Sequence, residues 1–115
     1  MISSFKAFVE EQLEGLDGLC LRPMFGGHGL YAGEVFFGIL FRDRLYFKTD
    51  TESRVEYLAL RMQPFRPSAK QTLRSYYEVP ADVLEDPERL TQWARRAIRA
   101  GRGPWRKTAG ELDAI

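Results

Sequence analysis

At 115 residues and 13.3 kDa, the chain holds a single domain, long enough to bury a core without disulfide or metal support. Hydrophobic residues at 44% and charged residues at 29% exclude a disordered chain, and no apolar run reaches the roughly 20 residues of a membrane span. One cysteine and one histidine cannot supply an internal disulfide or a structural zinc site, and no metal is expected. The net charge of +1 conceals a segregation of signs. Residues 1–18 carry Glu10, Glu11, Glu14 and Asp17 against Lys6, whereas Arg89, Arg95, Arg96, Arg99, Arg102, Arg106 and Lys107 follow one another with no acid between them. The start "MISSFKAFVEEQLEGL" turns acidic within ten residues and has no secretory pattern, so the expected location is cytoplasmic.

Phe5, Phe8, Val9, Leu13 and Leu16 recur at helical spacing and predict an amphipathic helix over 4–16, capped by Ser3 or Ser4 and stopped by Gly15 and Gly18. Aromatic and branched residues punctuated by glycine then predict three strands, over 20–25 or 28–32, over 35–41 and over 44–49. Between the last two, Arg42-Asp43 lacks the favoured Asp-Gly, so a longer loop is expected there instead of a tight type I′ turn. Asp50 or Thr51 caps a helix over 52–61 with Val55, Leu58 and Ala59 facing inward.

Pro64 and Pro67 impose extended backbone, and "TLRSYYEV" predicts a further strand closed by Pro80. Asp86 as cap and Pro87 at the first position open the last helix, whose apolar stripe is Leu90, Trp93, Ala94, Ala97 and Ile98. Arg95, Arg99 and Arg102 cluster on its opposite face, with Arg96 and Arg89 alongside, and Gly101 and Gly103-Pro104 end it. The predicted fold is α+β: an antiparallel meander sheet carrying an N-terminal helix, a short middle helix and a C-terminal helix. The domain spans 1–103, and 104–115 is a basic, loosely held tail.

The stretch "RPMFGGHGLY" has the density of glycine expected of a ligand loop. It contains neither GxGxxG nor GxxxxGK[ST] and leads into a strand, so Gly26, Gly27 and Gly29 read as turn and close-approach positions, and no cofactor is expected. His28 has no orienting carboxylate or nucleophile nearby in sequence and reads as a partly exposed turn residue. Cys20, between Leu19 and Leu21, reads as a small buried hydrophobe. Of Tyr76-Tyr77, one ring is expected in the core and one outside. Arg22 and Lys48 are candidates for a partner or anion contact at one end of the sheet. Arg95, Arg96, Arg99 and Arg102 are candidates for contact with a protein partner or with nucleic-acid phosphates. An unpaired edge strand also makes a homodimer by sheet extension possible, but the sequence does not identify the edge.

"RPMFGGHGLYAGEVFFGILFRDRLYFKTD", "PF", "SYYEVP" and "LEDPERLTQWARRA", in that order across nearly the whole chain, resemble the N-terminal domain of the TfoX/Sxy competence regulators. The resemblance implies a regulatory role. Full-length members are two-domain proteins that promote competence-gene transcription alongside the cyclic-AMP receptor protein, and no catalytic residue transfers from them. This chain ends where a helical second domain would begin, so it resembles a stand-alone N-terminal domain. The reading is a non-enzymatic protein-interaction module that docks a transcription-related partner through a strand edge and the arginine helix. Direct nucleic-acid binding through the basic helix and a small-molecule-binding domain are the alternatives.

Overall fold

The computed structural model describes residues 4–24 and 26–103, so the predicted tail at 104–115 lies outside the described residues. Helix α1 (Phe5–Gln12) begins where the Ser4 hydroxyl accepts the Ala7 N–H at 3.0 Å. It ends at Gln12, four residues short of the predicted stop, because Leu13 to Leu16 tighten into turns that still bury Leu13 and Leu16. Gly18, at φ 76, then redirects the chain into the sheet, a conformation that only glycine adopts at little cost.

Six strands follow: β1 (Leu19–Met24), β2 (Gly27–Ala32), β3 (Val35–Phe41), β4 (Arg44–Lys48), β5 (Pro64–Ser68) and β6 (Gln71–Glu78). They form one antiparallel sheet in the order β1-β2-β3-β4-β6-β5. Both sequence alternatives for the first strand are therefore used, as the two arms of a hairpin. The prolines at 64 and 67 sit in an edge strand, where their missing N–H groups interrupt no central ladder.

The β3–β4 connection is tighter than predicted. Phe41 pairs directly with Arg44, and both intervening residues have positive φ, Arg42 at 52° and Asp43 at 61°. That is the type I′ geometry, whose twist matches the flanking strands. The left-handed conformation costs a side-chain-bearing residue about 1–2 kcal/mol. Aspartate tolerates this region better than most residues, and the Arg42 guanidinium settles over the Phe41 ring at 5.0 Å.

The remaining helices are α2 (Thr51–Ala59), α3 (Ala81–Leu84) and α4 (Pro87–Gly101). The four described helices share one core with one face of the sheet: Val9 from α1 and Leu13 just after it, Tyr57 from α2, Val83 from α3, and the α4 stripe pack on Leu30, Phe37, Leu40, Leu45, Phe47 and Tyr77. The other face of the sheet carries a second cluster of Ile39, Tyr46, Phe65, Leu73 and Tyr76. Phe65 lies 4.9 Å from Tyr46 and 5.3 Å from Phe41, two and three strands away, so the β5–β6 hairpin curls over that face. Tyr76 and Tyr77 do point to opposite faces, but both are buried, because this second cluster covers the ring expected to be outside.

Candidate interaction surface

Helix α4 forms as its sequence dictates. The Asp86 carboxylate accepts the Glu88 and Arg89 N–H groups, Pro87 takes the first turn, and Leu90, Trp93, Ala94, Ala97 and Ile98 are buried. Arg95, Arg99 and Arg102 are exposed. Arg96 is half-buried, with its guanidinium 2.7 Å from the Glu56 carboxylate and 5.4 Å from the centre of the Trp93 ring.

The arginine face is not a uniform basic field. Arg95 lines a groove between α1 and α4 with Glu11, Glu14 and Glu88. Arg96 and Arg99 line a cleft against α2 with Asp50, Glu52 and Glu56. Arg89 pairs with Asp82 at 3.3 Å. Carboxylates thus flank the cations on both sides, which weakens the summed potential a phosphate backbone would meet.

Helix α2 differs most from its sequence reading. The Asp50 carboxylate accepts the Ser53 N–H at 2.7 Å while the Ser53 hydroxyl accepts the Asp50 N–H at 3.0 Å, a capping box. The Ser53 N–H holds the Asp50 carboxyl below the usual carboxylate range. That box faces Ser53 inward, and Tyr57 one turn later meets Trp93 edge-on at 4.9 Å and Tyr77 at 6.0 Å. Burial raises the Tyr57 phenol above its ordinary pKa, partly offset by the Arg96 charge.

With Ser53 and Tyr57 inside, Val55 and Leu58 turn outward rather than inward. They are 63% and 54% exposed, Leu60 is 48% exposed, and Ala59 is exposed as well. Sequence reasoning missed this apolar surface because Val55, Leu58 and Ala59 follow helical spacing as well as Ser53 and Tyr57 do. The signal that decides is the larger area of Tyr57, which gains more from burial than the aliphatic set.

The sheet candidates are placed differently from each other. Lys48 is only 8% exposed, its Nζ 3.2 Å from the Ser75 hydroxyl and 5.2 Å from the centre of the Tyr76 ring. Arg22 is exposed on β1 and lies over the Tyr31 ring at 4.5 Å. The two cations are not brought together. They terminate a row of rings in which Tyr31 stacks on Phe36 at 5.2 Å and Phe36 meets Tyr76 at 5.3 Å. With their neighbours so close, these rings make a packed ladder and leave no platform for an incoming base.

His28 lies in β2, not in a turn, and is half-buried beside a hollow that Ser4 and Asp43 also line. The Ser4 hydroxyl is committed to capping α1, and among the described residues no hydrogen bond joins the three side chains. Cys20 is exposed, contrary to its reading as core, because strand alternation directs Leu19 and Leu21 toward the helices and Cys20 away from them. Among the described residues, no three His, Cys, Asp or Glu side chains are grouped to hold a metal, and no helix is long and apolar enough to cross a membrane.

These features define an open-sheet α+β domain with all its helices on one face. The family model of the TfoX N-terminal domain matches residues 11–101, and the chain belongs to that family. No curated protein matches the chain.

Proposed function

We propose that the chain is a non-enzymatic protein-interaction module of transcriptional regulation, whose docking surface is the outer face of α2 together with the exposed arginines of α4. The observation that carries this reading is the outward exposure of Val55 and Leu58 on α2 and of Leu60 at its C-terminal end. Exposed aliphatic residues along a helix suit a partner segment with an apolar anchor, and the exposed α4 arginines suit carboxylates on the same partner. Membership of the TfoX N-terminal domain family supports the regulatory setting.

Direct nucleic-acid binding is the competing reading, and the carboxylates interleaved with the α4 arginines weigh against it. Fluorescence anisotropy with duplex DNA at low and near-physiological salt tests the choice. The native chain is compared with a variant carrying Arg95→Glu, Arg99→Glu and Arg102→Glu. The expected result is no binding that survives physiological salt. Salt-resistant binding that the triple variant abolishes would transfer the function to nucleic-acid contact.

A further inference from the structure

The sheet has two edges, and they are not equivalent. At β5, Pro64 and Pro67 remove backbone donors and Arg66 is exposed, features that block strand addition. At β1, β2 is the only described element running alongside, and just one proline, Pro23, interrupts the donors near its end.

The groups that β1 presents outward follow from its register. The Gly33 N–H donates to the Gly18 carbonyl at 3.2 Å, one step beyond the Leu19–Ala32 pair. Antiparallel pairs alternate between bonded and non-bonded, so Cys20–Tyr31 and Arg22–Gly29 are bonded pairs, whereas Leu19–Ala32, Leu21–Leu30 and Pro23–His28 are not. The N–H and C=O groups of Leu19 and Leu21 therefore point away from β2. At Pro23, where no N–H exists, only the C=O does so.

This pattern is self-complementary in one antiparallel register. Leu19 opposite Leu21 of a second copy, and Leu21 opposite its Leu19, satisfies all four outward groups of each pair of residues. Shifting the copy to set Leu21 against Leu21 brings Leu19 opposite Pro23, which has no N–H to donate. A further shift sets Arg22 directly opposite Arg22. In the favoured register Arg22 meets Gly18, and the two Arg22 residues stand about 13 Å apart along the strands. On the helix side, Leu19 and Leu21, each half-buried at the rim of the main core, cover one another across the junction. On the other side, the exposed Cys20 falls on the two-fold axis opposite its own copy. That position is a non-bonded pair with a Cα separation of about 4.5 Å, inside the range a disulfide spans.

We propose that the chain forms a two-fold dimer by antiparallel pairing of β1 with β1 of a second copy, Leu19 opposite Leu21, extending the sheet and setting the two Cys20 thiols face to face. This interface is separate from the α2–α4 surface and leaves it free for a partner.

Sedimentation equilibrium of the reduced native chain is expected to give twice the 13.3 kDa monomer mass. Among hydrogen-bonding groups, Leu21→Pro removes only an outward N–H, and together with the loss of the Leu21 side chain at the junction it is expected to raise the dimer dissociation constant at least about tenfold. A circular dichroism melt checks its fold, and Leu19→Pro, at the first strand position, repeats the test independently. Diamide reports the register: it takes two hydrogens from two thiols, becoming a hydrazine as one S–S bond forms. The native protein is expected to cross-link rapidly through Cys20, and a Cys20→Ser, Arg22→Cys double variant at least about tenfold more slowly, since its thiols stand apart. A monomer at concentrations up to roughly 100 µM, a folded proline variant that dimerises as tightly as the native chain, or equally fast cross-linking at position 22 would overturn the proposal.

Discussion

Replacing Gly27 by alanine tests whether the glycine-rich stretch shapes the sheet. A Cβ at this position would run into the Leu40 carbonyl oxygen, with the Leu40 carbonyl carbon at 3.2 Å and the Phe41 Cα at 3.3 Å. All three atoms are β3 backbone, and β3 is anchored on its other side by β4, so the strain cannot be relieved by a rotamer change. Separating β2 from β3 here adds overpacking to the loss of a ladder hydrogen bond beside His28–Leu40, about 3 kcal/mol in sum. For a domain of this size, that lowers the melting temperature by roughly 12–20 °C. Gly29→Ala meets chiefly the end of a side chain, Met24 Sδ at 2.9 Å, with the Phe36 and Tyr31 rings at 3.2 Å. The flexible thioether can move, so its cost is about 1 kcal/mol. Gly26→Ala has open space but a φ of 80°, which costs about 1–2 kcal/mol. Thermal melts of the three variants followed by circular dichroism are expected to place Gly27→Ala lowest by a wide margin. A Gly27→Ala protein that melts within about 3 °C of the native chain would refute the reasoning.

Lys48→Ala is expected to lower stability by about 1–2 kcal/mol through lost stem packing and the lost contacts to Ser75 and Tyr76, and an unchanged denaturation midpoint would contradict its buried placement. Asp50→Ala removes the α2 cap and costs about 1 kcal/mol at neutral pH. The native Asp50 pKa is depressed, so the stabilisation from its charge is complete above the unfolded value of about 3.9 and is lost as pH falls through the folded value. Urea titrations should therefore show the difference between native and Asp50→Ala proteins shrinking below pH 4 or so, and a gap that widens there would contradict the cap. Glu56→Gln breaks the Arg96 pair, yet both partners are partly exposed, so the expected loss of stability is below about 1 kcal/mol.

Helix α4 was legible in the sequence in cap, stripe and polar face alike, since Asp86, Pro87 and an unbroken helical period all specify the same element. The meander through β3 and β4 was also legible, because aromatic and branched runs alternate there with turn residues, whereas β1 and β2 were legible only as alternatives for one strand and the tight β3–β4 turn was not. Three features depend on tertiary packing that local pattern does not encode. Tyr57 competes successfully with Val55 and Leu58 for the inside of α2 only because Trp93 and Tyr77 are there to receive it. Lys48 and Tyr76 are buried on a face that sequence alternation alone would leave to solvent, where the β5–β6 hairpin curls over the sheet and brings Phe65 onto Tyr46. Cys20 is exposed because the strand it occupies lies at the edge. Of the candidate site residues, the exposed α4 arginines lie where the sequence put them, while the apolar half of the surface emerged only with the fold.

The docking surface is tested most directly by isothermal titration of the cyclic-AMP receptor protein, alongside which the two-domain regulators that this chain resembles act, with the native chain and with a Val55→Asp, Leu58→Asp variant. Both substituted side chains are mostly exposed, so the variant is expected to fold with an unchanged melt. The account predicts binding by the native chain and a loss of at least about tenfold in the variant. Equal binding by both proteins, or no binding by the native chain, would contradict it.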